Sequence, residues 1–237
     1  MDETGARGRH QFSCKENCPE NWNFPAPDRV GGGAVRQPLG VILAGGLSAR
    51  MGGGDKGLSD LGGRPVLAHV IGRLAPQVAD LALNANGDPA RFARFGLPVL
   101  ADPVAGHPGP LAGVLAGLDW AAARGANSIV TAAADTPFFP CDLVPRLLLA
   151  GEGMAQPLVL AASRDAAGVL LQPTFGLWPV ALRAELRAAL GRGARKVRLW
   201  AEEHGARVAE FPVVRFDPFF NVNTPEDLER ARELLGR

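Results

Sequence analysis

From residue 39 onward, short apolar runs alternate with stretches whose hydrophobic positions repeat at helical spacing. The run LGVIL at 39–43 has no polar member, as expected of a strand covered on both faces. A glycine-rich loop follows at 44–57, and Pro65 then opens a helix whose Val66, Leu67, Val70, Ile71 and Leu74 share one face. LALN at 81–84 and PVLA at 98–101 read as two further strands, the second ending at Asp102. After a Gly/Pro turn, Leu111, Val114, Leu115 and Leu118 mark a second helical face. SIVTAAA at 128–134 is a fourth strand, ending at Asp135. The pattern continues with a helix over 142–149, strands over 158–162 and 174–177, helices over 180–190 and 194–204, and a strand over 207–213. TPED at 224–227 places an N-cap Thr, a Pro at the first helical position and an acid at the third, so a last helix runs to the C-terminus. Strands alternating with helices predict an α/β fold, a parallel sheet with helices on both faces. In such sheets ligands sit beyond the carboxyl ends of the strands, where the 44–57 loop, Asn84, Asp102 and Asp135 all fall.

Residues 1–35 break this pattern, being polar, aperiodic and rich in Gly and Pro. They hold Cys14 and Cys18, but a zinc site needs two more ligands and only His10 is near. The expected organisation is a disordered extension over 1–36 and one domain over 37–237. The 237 residues carry 25 basic and 24 acidic side chains, a formal charge of +1, which leaves no footprint for duplex nucleic acid. Apolar residues make up 47%, enough for a sizeable core. No run of 18 uncharged apolar residues suggests a membrane span, and no basic start followed by an apolar run suggests secretion, so the cytoplasm is the expected location.

The charge composition sharpens the reading of the loop. Only three of the 25 basic residues are lysines, and one of them, Lys56, stands in AGGLSARMGGGDKG at 44–57. Glycines allow backbone N–H groups to approach a phosphate, and a loop leaving a strand can form an anion nest. Arg50 can grip phosphate oxygens in a fork while Lys56 acts as a mobile point charge, a pairing that suits a triphosphate. The loop is neither a P-loop, because Lys56 lies between Asp55 and Gly57, nor a G-x-G-x-x-G fingerprint, because Gly45 and Gly46 are adjacent. A merely glycine-rich surface loop is the plain alternative.

Asp135, at the tip of a strand of small residues, is a candidate Mg²⁺ ligand, since Mg²⁺ takes one or two carboxylates plus substrate phosphates. It could equally cap the turn before Pro137, as Asp102 could before Pro103. His107 has no evident partner and reads as structural or solvated. Asn221 and Asn223 lie two apart in FFNVNTPEDL at 219–228, so in an extended segment both side chains point to one side and could bind a polar ligand. Trp178, in QPTFGLW at 172–178, reads as core, with packing against a flat heterocycle as the alternative. The basic stretch Arg195, Lys196 and Arg198 reads as a solvated helix start, or as a contact for an anionic substrate.

Together, LAGG at 43–46, SARMG at 48–52, DKG at 55–57, GPLAG at 109–113, DTPF at 135–138, FGLW at 175–178 and NVNTPEDL at 221–228 resemble the molybdenum cofactor guanylyltransferases. The resemblance runs from about residue 39 to the C-terminus. It implies a three-layer αβα, Rossmann-like, nucleotide-diphospho-sugar-transferase-like fold with a mostly parallel sheet. It also implies GMP transfer from GTP to Mo-molybdopterin with Mg²⁺ and release of pyrophosphate. By motif position, Leu43, Ala44, Gly45, Lys56, Asn84 and Asp102 would bind GTP, with Gly46 in the same loop. Asp135 would bind Mg²⁺ and GTP, Lys56 and Arg50 would neutralise phosphate charge, and Asn221 and Asn223 would lie near the molybdopterin or the metal. Gln172 stands where many members carry His before Pro. Molybdenum-insertion proteins and molybdoenzyme chaperones are the implied protein partners. A relative using CTP with a pterin or sugar phosphate, and a nucleotide-binding cofactor chaperone without turnover, are the rival readings.

Overall fold

The computed structural model describes residues 37–45, 56–104 and 109–236. The expectations for the 1–36 segment, Gly46, Arg50 and His107 lie outside the described residues.

The alternation read from the sequence builds a central sheet of seven strands. In chain order the elements are β1 (Leu39–Leu43), β2 (Asp60–Leu61), β3 (Arg64–Pro65), α1 (Val66–Leu74), β4 (Leu81–Asn84), β5 (Val99–Leu100), α2 (Pro110–Ala123), β6 (Ser128–Ala133), α3 (Leu143–Ala150), β7 (Val159–Asp165), β8 (Gly168–Pro179), α4 (Arg183–Gly191), α5 (Val197–Glu203), β9 (Arg207–Pro212) and α6 (Pro225–Leu235). The strand order is β5-β4-β1-β6-β8-β7-β9, with β2 and β3 forming a separate small hairpin. β1 lies parallel between β4 and β6, so Leu43 is level with both Asn84 and Ala133. The carboxyl tips that hold the candidate residues therefore stand side by side.

Alternate residues of β1 feed two cores. Ile42 packs with Leu67, Val70 and Leu74 of α1 and Leu143 and Leu147 of α3 on one face. Val41 packs with Leu111, Leu115 and Leu118 of α2 and with residues of α4 and α5 on the other. These are the three layers expected. A third cluster gathers Leu61, Val66, Phe138, Val222, Leu228 and Ala231, joining the small hairpin to α6.

Several elements depart from the sequence reading. The strand expected over 174–177 runs from Gly168 to Pro179 and pairs antiparallel with both β6 and β7, the one reversal in the sheet. The cause is a tight turn in which Asp165 Oδ1 accepts from the N–H groups of Ala167 and Gly168, so that β8 runs back alongside β7. Helix α2 shows no single apolar face: all residues from Leu111 to Leu118 are buried, because it is wedged between the sheet and α4. Gly113 and Gly117 permit this, since a Cβ at Gly113 would stand 2.1 Å from Asn84 Oδ1 and one at Gly117 2.7 Å from Val41 Cγ2. The helix expected over 180–190 begins as a 3-10 turn at Val180–Leu182, and the one expected over 194–204 forms only over Val197–Glu203. The last helix has the capping box read from the sequence, with Thr224 and Asp227 bonding each other's backbone.

Candidate active site

The carboxyl edge of the sheet carries two groups of polar side chains, one on each side of β1. The first forms where β4 and β5 end. Asn84, buried, donates from Nδ2 to Asp102 Oδ1 at 2.8 Å and to the Leu100 carbonyl at 3.1 Å. Ala44 N–H donates to the Asn84 carbonyl at 2.8 Å, and an added Cβ at Gly45 would lie 3.2 Å from Asn84 Oδ1. Leu43, Ala44, Gly45, Asn84 and Asp102 thus form one continuous wall.

The second group forms beyond β6. Asp135 stands in the turn two residues past the end of β6 and is partly buried, and its carbonyl accepts from Val222 N–H at 2.8 Å. That bond seats the 221–223 segment against the strand tip. Thr136 Oγ1 is shared between Asn221 Oδ1 and Asp135 Oδ1. Lys56 Nζ donates to Asn223 Oδ1 at 2.9 Å. Gly57 runs beside the strand end, where a Cβ would make ordinary contact with the Ala134 carbonyl at 3.5 Å. Asp135, Lys56, Asn221 and Asn223, spread over 168 positions of sequence from Lys56 to Asn223, therefore meet at one place.

The electrostatics of this second group are those of an anion short of partners. Burial holds the Asp135 carboxyl above its ordinary 3.8, while the Thr136 hydroxyl and the Lys56 charge pull it back. A cation placed there would relieve the strain of keeping that carboxylate ionised. The donor set fits Mg²⁺: one carboxylate with the Thr136 hydroxyl and Asn221 carbonyl oxygens beside it, and no group of three His, Cys, Asp or Glu among the described residues. Mg²⁺ takes one or two carboxylates of this kind and fills its other positions with waters and substrate phosphates.

Other residues singled out by sequence settle into structural roles. Trp178 is buried and donates to Thr131 Oγ1 at 2.8 Å, so its ring belongs to the core. Arg198 pairs with Glu202 at 2.7 Å on the exposed side of α5, which accounts for part of the basic stretch as a solvated helix start. Gln172 donates to Ser163 Oγ at 3.2 Å, and Ser163 in turn donates to Asp217 at 3.3 Å, at the root of the segment leading to Asn221. Two residues were missed, Thr136, shared between Asp135 and Asn221, and Asn86. Asn86 bonds both the carboxylate and the backbone of Asp102. The spacing that drew attention to Asn221 and Asn223 also relates Asn84 to Asn86 and could have flagged it.

Residues 40–208 match the family described as "MobA-like NTP transferase domain". The chain is similar to the molybdenum cofactor guanylyltransferase of Rhodopseudomonas palustris (strain BisB5), 54% identical over 200 residues that cover 83% of this chain and 93% of that one. It is similar to the protein of the same name from Cereibacter sphaeroides, 55% identical over 200 residues covering 84% and 97%. Among solved structures, molybdopterin-guanine dinucleotide biosynthesis protein A from Archaeoglobus fulgidus superposes with a TM-score of 0.63 at 25% identity, covering 84% of this chain and 98% of that one. CMP:2-keto-3-deoxy-manno-octonic acid synthetase superposes with a TM-score of 0.65 at 16% identity, over 84% and 98%, a likeness of fold alone. No helix among the described residues is long and apolar enough to cross a membrane.

Proposed function

The chain belongs to the MobA-like NTP transferase family and is a nucleotidyltransferase, and on that premise we propose that it transfers GMP from GTP to Mo-molybdopterin, releasing pyrophosphate. The observation that carries this reading is the meeting of Lys56 and Asp135 around the 221–223 segment, across β1 from the Asn84–Asp102 wall. One group offers charge to phosphates and the other hydrogen-bond partners to a nucleoside. Leu43, Ala44 and Gly45 supply backbone between them, and Gly46 and Arg50 continue the same loop. The reading also assigns the nucleotidyltransferase domain to residues 37–237.

The nucleophile would be the terminal phosphate of molybdopterin, largely ionised at pH 7 because its second pKa is roughly 6. One of its oxygens bonds to the α-phosphorus of GTP as the bond to the bridging oxygen breaks, and pyrophosphate carries away that electron pair. No general base is required. The obstacle is repulsion between two anions, so the protein's work is alignment and charge neutralisation. Lys56, held by Asn223, brings a positive charge beside the Asp135 tip, and Arg50 is assigned a second. Asp135, with the oxygens of Thr136 and Asn221, would hold Mg²⁺, which when bound shields the phosphate oxygens and orients them. Asn221 and Asn223 would also border the molybdopterin phosphate.

The test is incubation with GTP, Mg²⁺ and molybdenum-loaded molybdopterin, with the dinucleotide product identified by mass. Pyrophosphate release compared across the four nucleotides should favour GTP. Preference for CTP would overturn the guanine assignment. GTP binding with no Mg²⁺-dependent product would mark a nucleotide-binding cofactor chaperone instead.

A further inference from the structure

Asn86 lies two residues past the end of β4, where the sheet's own hydrogen bonds have nearly run out. The last rung between the two strand ends is Ala85 N–H to the Leu100 carbonyl at 3.0 Å. Beyond it the Asn86 side chain takes over from the backbone. Asn86 Oδ1 accepts from Asp102 N–H at 2.9 Å, and Asn86 Nδ2 donates to Asp102 Oδ2 at 2.7 Å. A carboxylate only accepts and a backbone N–H only donates, so the amide can be oriented in just this way.

Asn86 is itself anchored from behind. Its carbonyl accepts from Arg91 Nη2 at 2.6 Å, and the Arg91 guanidinium stands 4.7 Å from the centre of the buried Phe92 ring. The turn is closed by Asp88, whose carboxylate accepts from Ala90 N–H at 2.9 Å. The position of Asn86 is thus set by a packed turn, independently of Asp102.

The result is an unusually constrained carboxylate. Asn84 donates to Oδ1 and Asn86 to Oδ2, so each oxygen is held by one neutral amide. Both donors are uncharged, so among the described residues no ion pair cancels the negative charge. A carboxylate has roughly four acceptor positions, and among the described residues these two bonds leave one open on each oxygen. A fixed pair of open, adjacent, acceptor-only positions suits a ligand that offers two neighbouring donors. A purine edge with paired N–H groups has that chemistry, and so does a ribose diol.

We infer that Asn86 is a positioning residue for nucleotide binding: it locks the second oxygen of Asp102 so that the carboxylate receives two donors of the nucleoside at once. This rests on the reading above, in which Asp102 faces the nucleotide. Without the Asn86 amide, Asn84 still holds Oδ1, but Oδ2 is free to swing and the paired recognition is lost. The effect falls on affinity for the nucleotide rather than on the rate of the bound complex, because the phosphates are handled on the other side of β1.

The experiment is GTP titration by calorimetry on the full chain with Mg²⁺, alongside kcat at saturating GTP, for Asn86→Ala, Asp102→Ala and the double variant. Asn86→Ala should weaken GTP binding roughly tenfold, the scale of one hydrogen bond to a charged group, with a smaller change in kcat. Asn86→Asp, the same shape with a like charge against Oδ2, should weaken it further. In the Asp102→Ala background, Asn86→Ala should add almost nothing. Repeating the titrations with ITP, which lacks the exocyclic amine, and with 2′-deoxy-GTP identifies the donors, as the Asn86→Ala penalty shrinks for the analogue that has lost one. If Asp102→Ala weakens binding and Asn86→Ala does not, the inference fails and the function stands. If Asp102→Ala leaves binding unchanged, the placement of the nucleotide fails and takes the inference with it. Penalties that simply add, or that are equal for both analogues, would also overturn it, the first by showing a purely structural turn and the second by removing the paired donors.

Discussion

Asn84 and Asn86 on one side of β1, and Asn221 and Asn223 on the other, are the same two-residue pattern used in opposite senses. On the first side both amides donate from nitrogen and converge on a single carboxylate, Asp102. On the second side both accept at oxygen, Asn223 from the Lys56 ammonium and Asn221 from the Thr136 hydroxyl. The amide group is ambidextrous, and its partner decides which end it presents. The first pair fixes an anion, while in the second Asn223 steers a cation and Asn221 holds a hydroxyl, a division of labour that suits nucleoside recognition beside phosphate chemistry. The supports differ as well. Asn84 belongs to a strand, and Asn86 to a packed turn. Asn221 and Asn223 are exposed and ride on Val222, whose side chain is 0% exposed within the cluster under α6.

If the two sides divide the work in this way, the largest losses of turnover belong to the 221–223 side. Asp135→Asn should abolish Mg²⁺-dependent turnover, and an unchanged Mg²⁺ titration curve would remove it as a ligand. The same variant should melt at a higher temperature without ligand. Burial holds the Asp135 carboxyl above 3.8, so the folded chain keeps that proton more tightly than the unfolded one. The stability from this group is full below 3.8 and is lost as pH rises through the raised folded value, leaving an ionised carboxylate whose removal relaxes the fold near neutrality.

Lys56→Ala follows, with a fall in turnover of roughly 10²–10³, the scale of losing one preorganised charge-stabilising donor. Wild-type turnover would strip Lys56 of its role. Asn223→Ala should lower kcat roughly tenfold with a smaller effect on GTP affinity, as the ammonium loses its tether. This is the mirror image of the result expected at Asn86. Should both variants shift the same constant, the two sides do not divide the chemistry. The smallest effect is at His69, beneath the 221–223 side, where Nε2 donates to the Leu61 carbonyl at 2.9 Å. Burial holds its pKa below 6.5, so the unfolded chain takes up the proton first and stability falls as pH drops below that value. His69→Gln should flatten the acid limb of a plot of thermal midpoint against pH.

Much of this molecule could be read from its one-dimensional pattern, and the limits have physical causes. β1, α1, β4 and the capped α6 were legible because each carries its own periodicity or its own start signal. So was the arrival of Asp135 and Asn84 at strand tips, since parallel sheets place the ends of their strands together. β8 was misjudged because a short apolar run looks the same whichever way the strand points, and the decisive residue, Asp165, acts through a turn. Helix α2 looked one-faced because Ala and Gly give no hydrophobic signal, yet here they mark the closest approach to the sheet. The two-residue spacing from Asn84 marks Asn86 as a candidate, but its partner lies 16 positions away across two strand ends, and that pairing no local pattern encodes. The bond from Lys56 to Asn223, 167 positions apart, was hidden for the same reason.

Helix α6 has a mechanical consequence. Its Leu228 and Ala231 pack with Leu61 of the small hairpin and with Val222, while Arg232 donates to the Asp60 carbonyl at 3.0 Å. The chain's final turns thus act as a tie bar, fastened at one end just downstream of Lys56 and at the other between the two asparagines facing it. Whatever loosens that bar slackens both jaws together while the seven-stranded frame stays whole, so the working edge of this protein can soften at a temperature its scaffold still withstands.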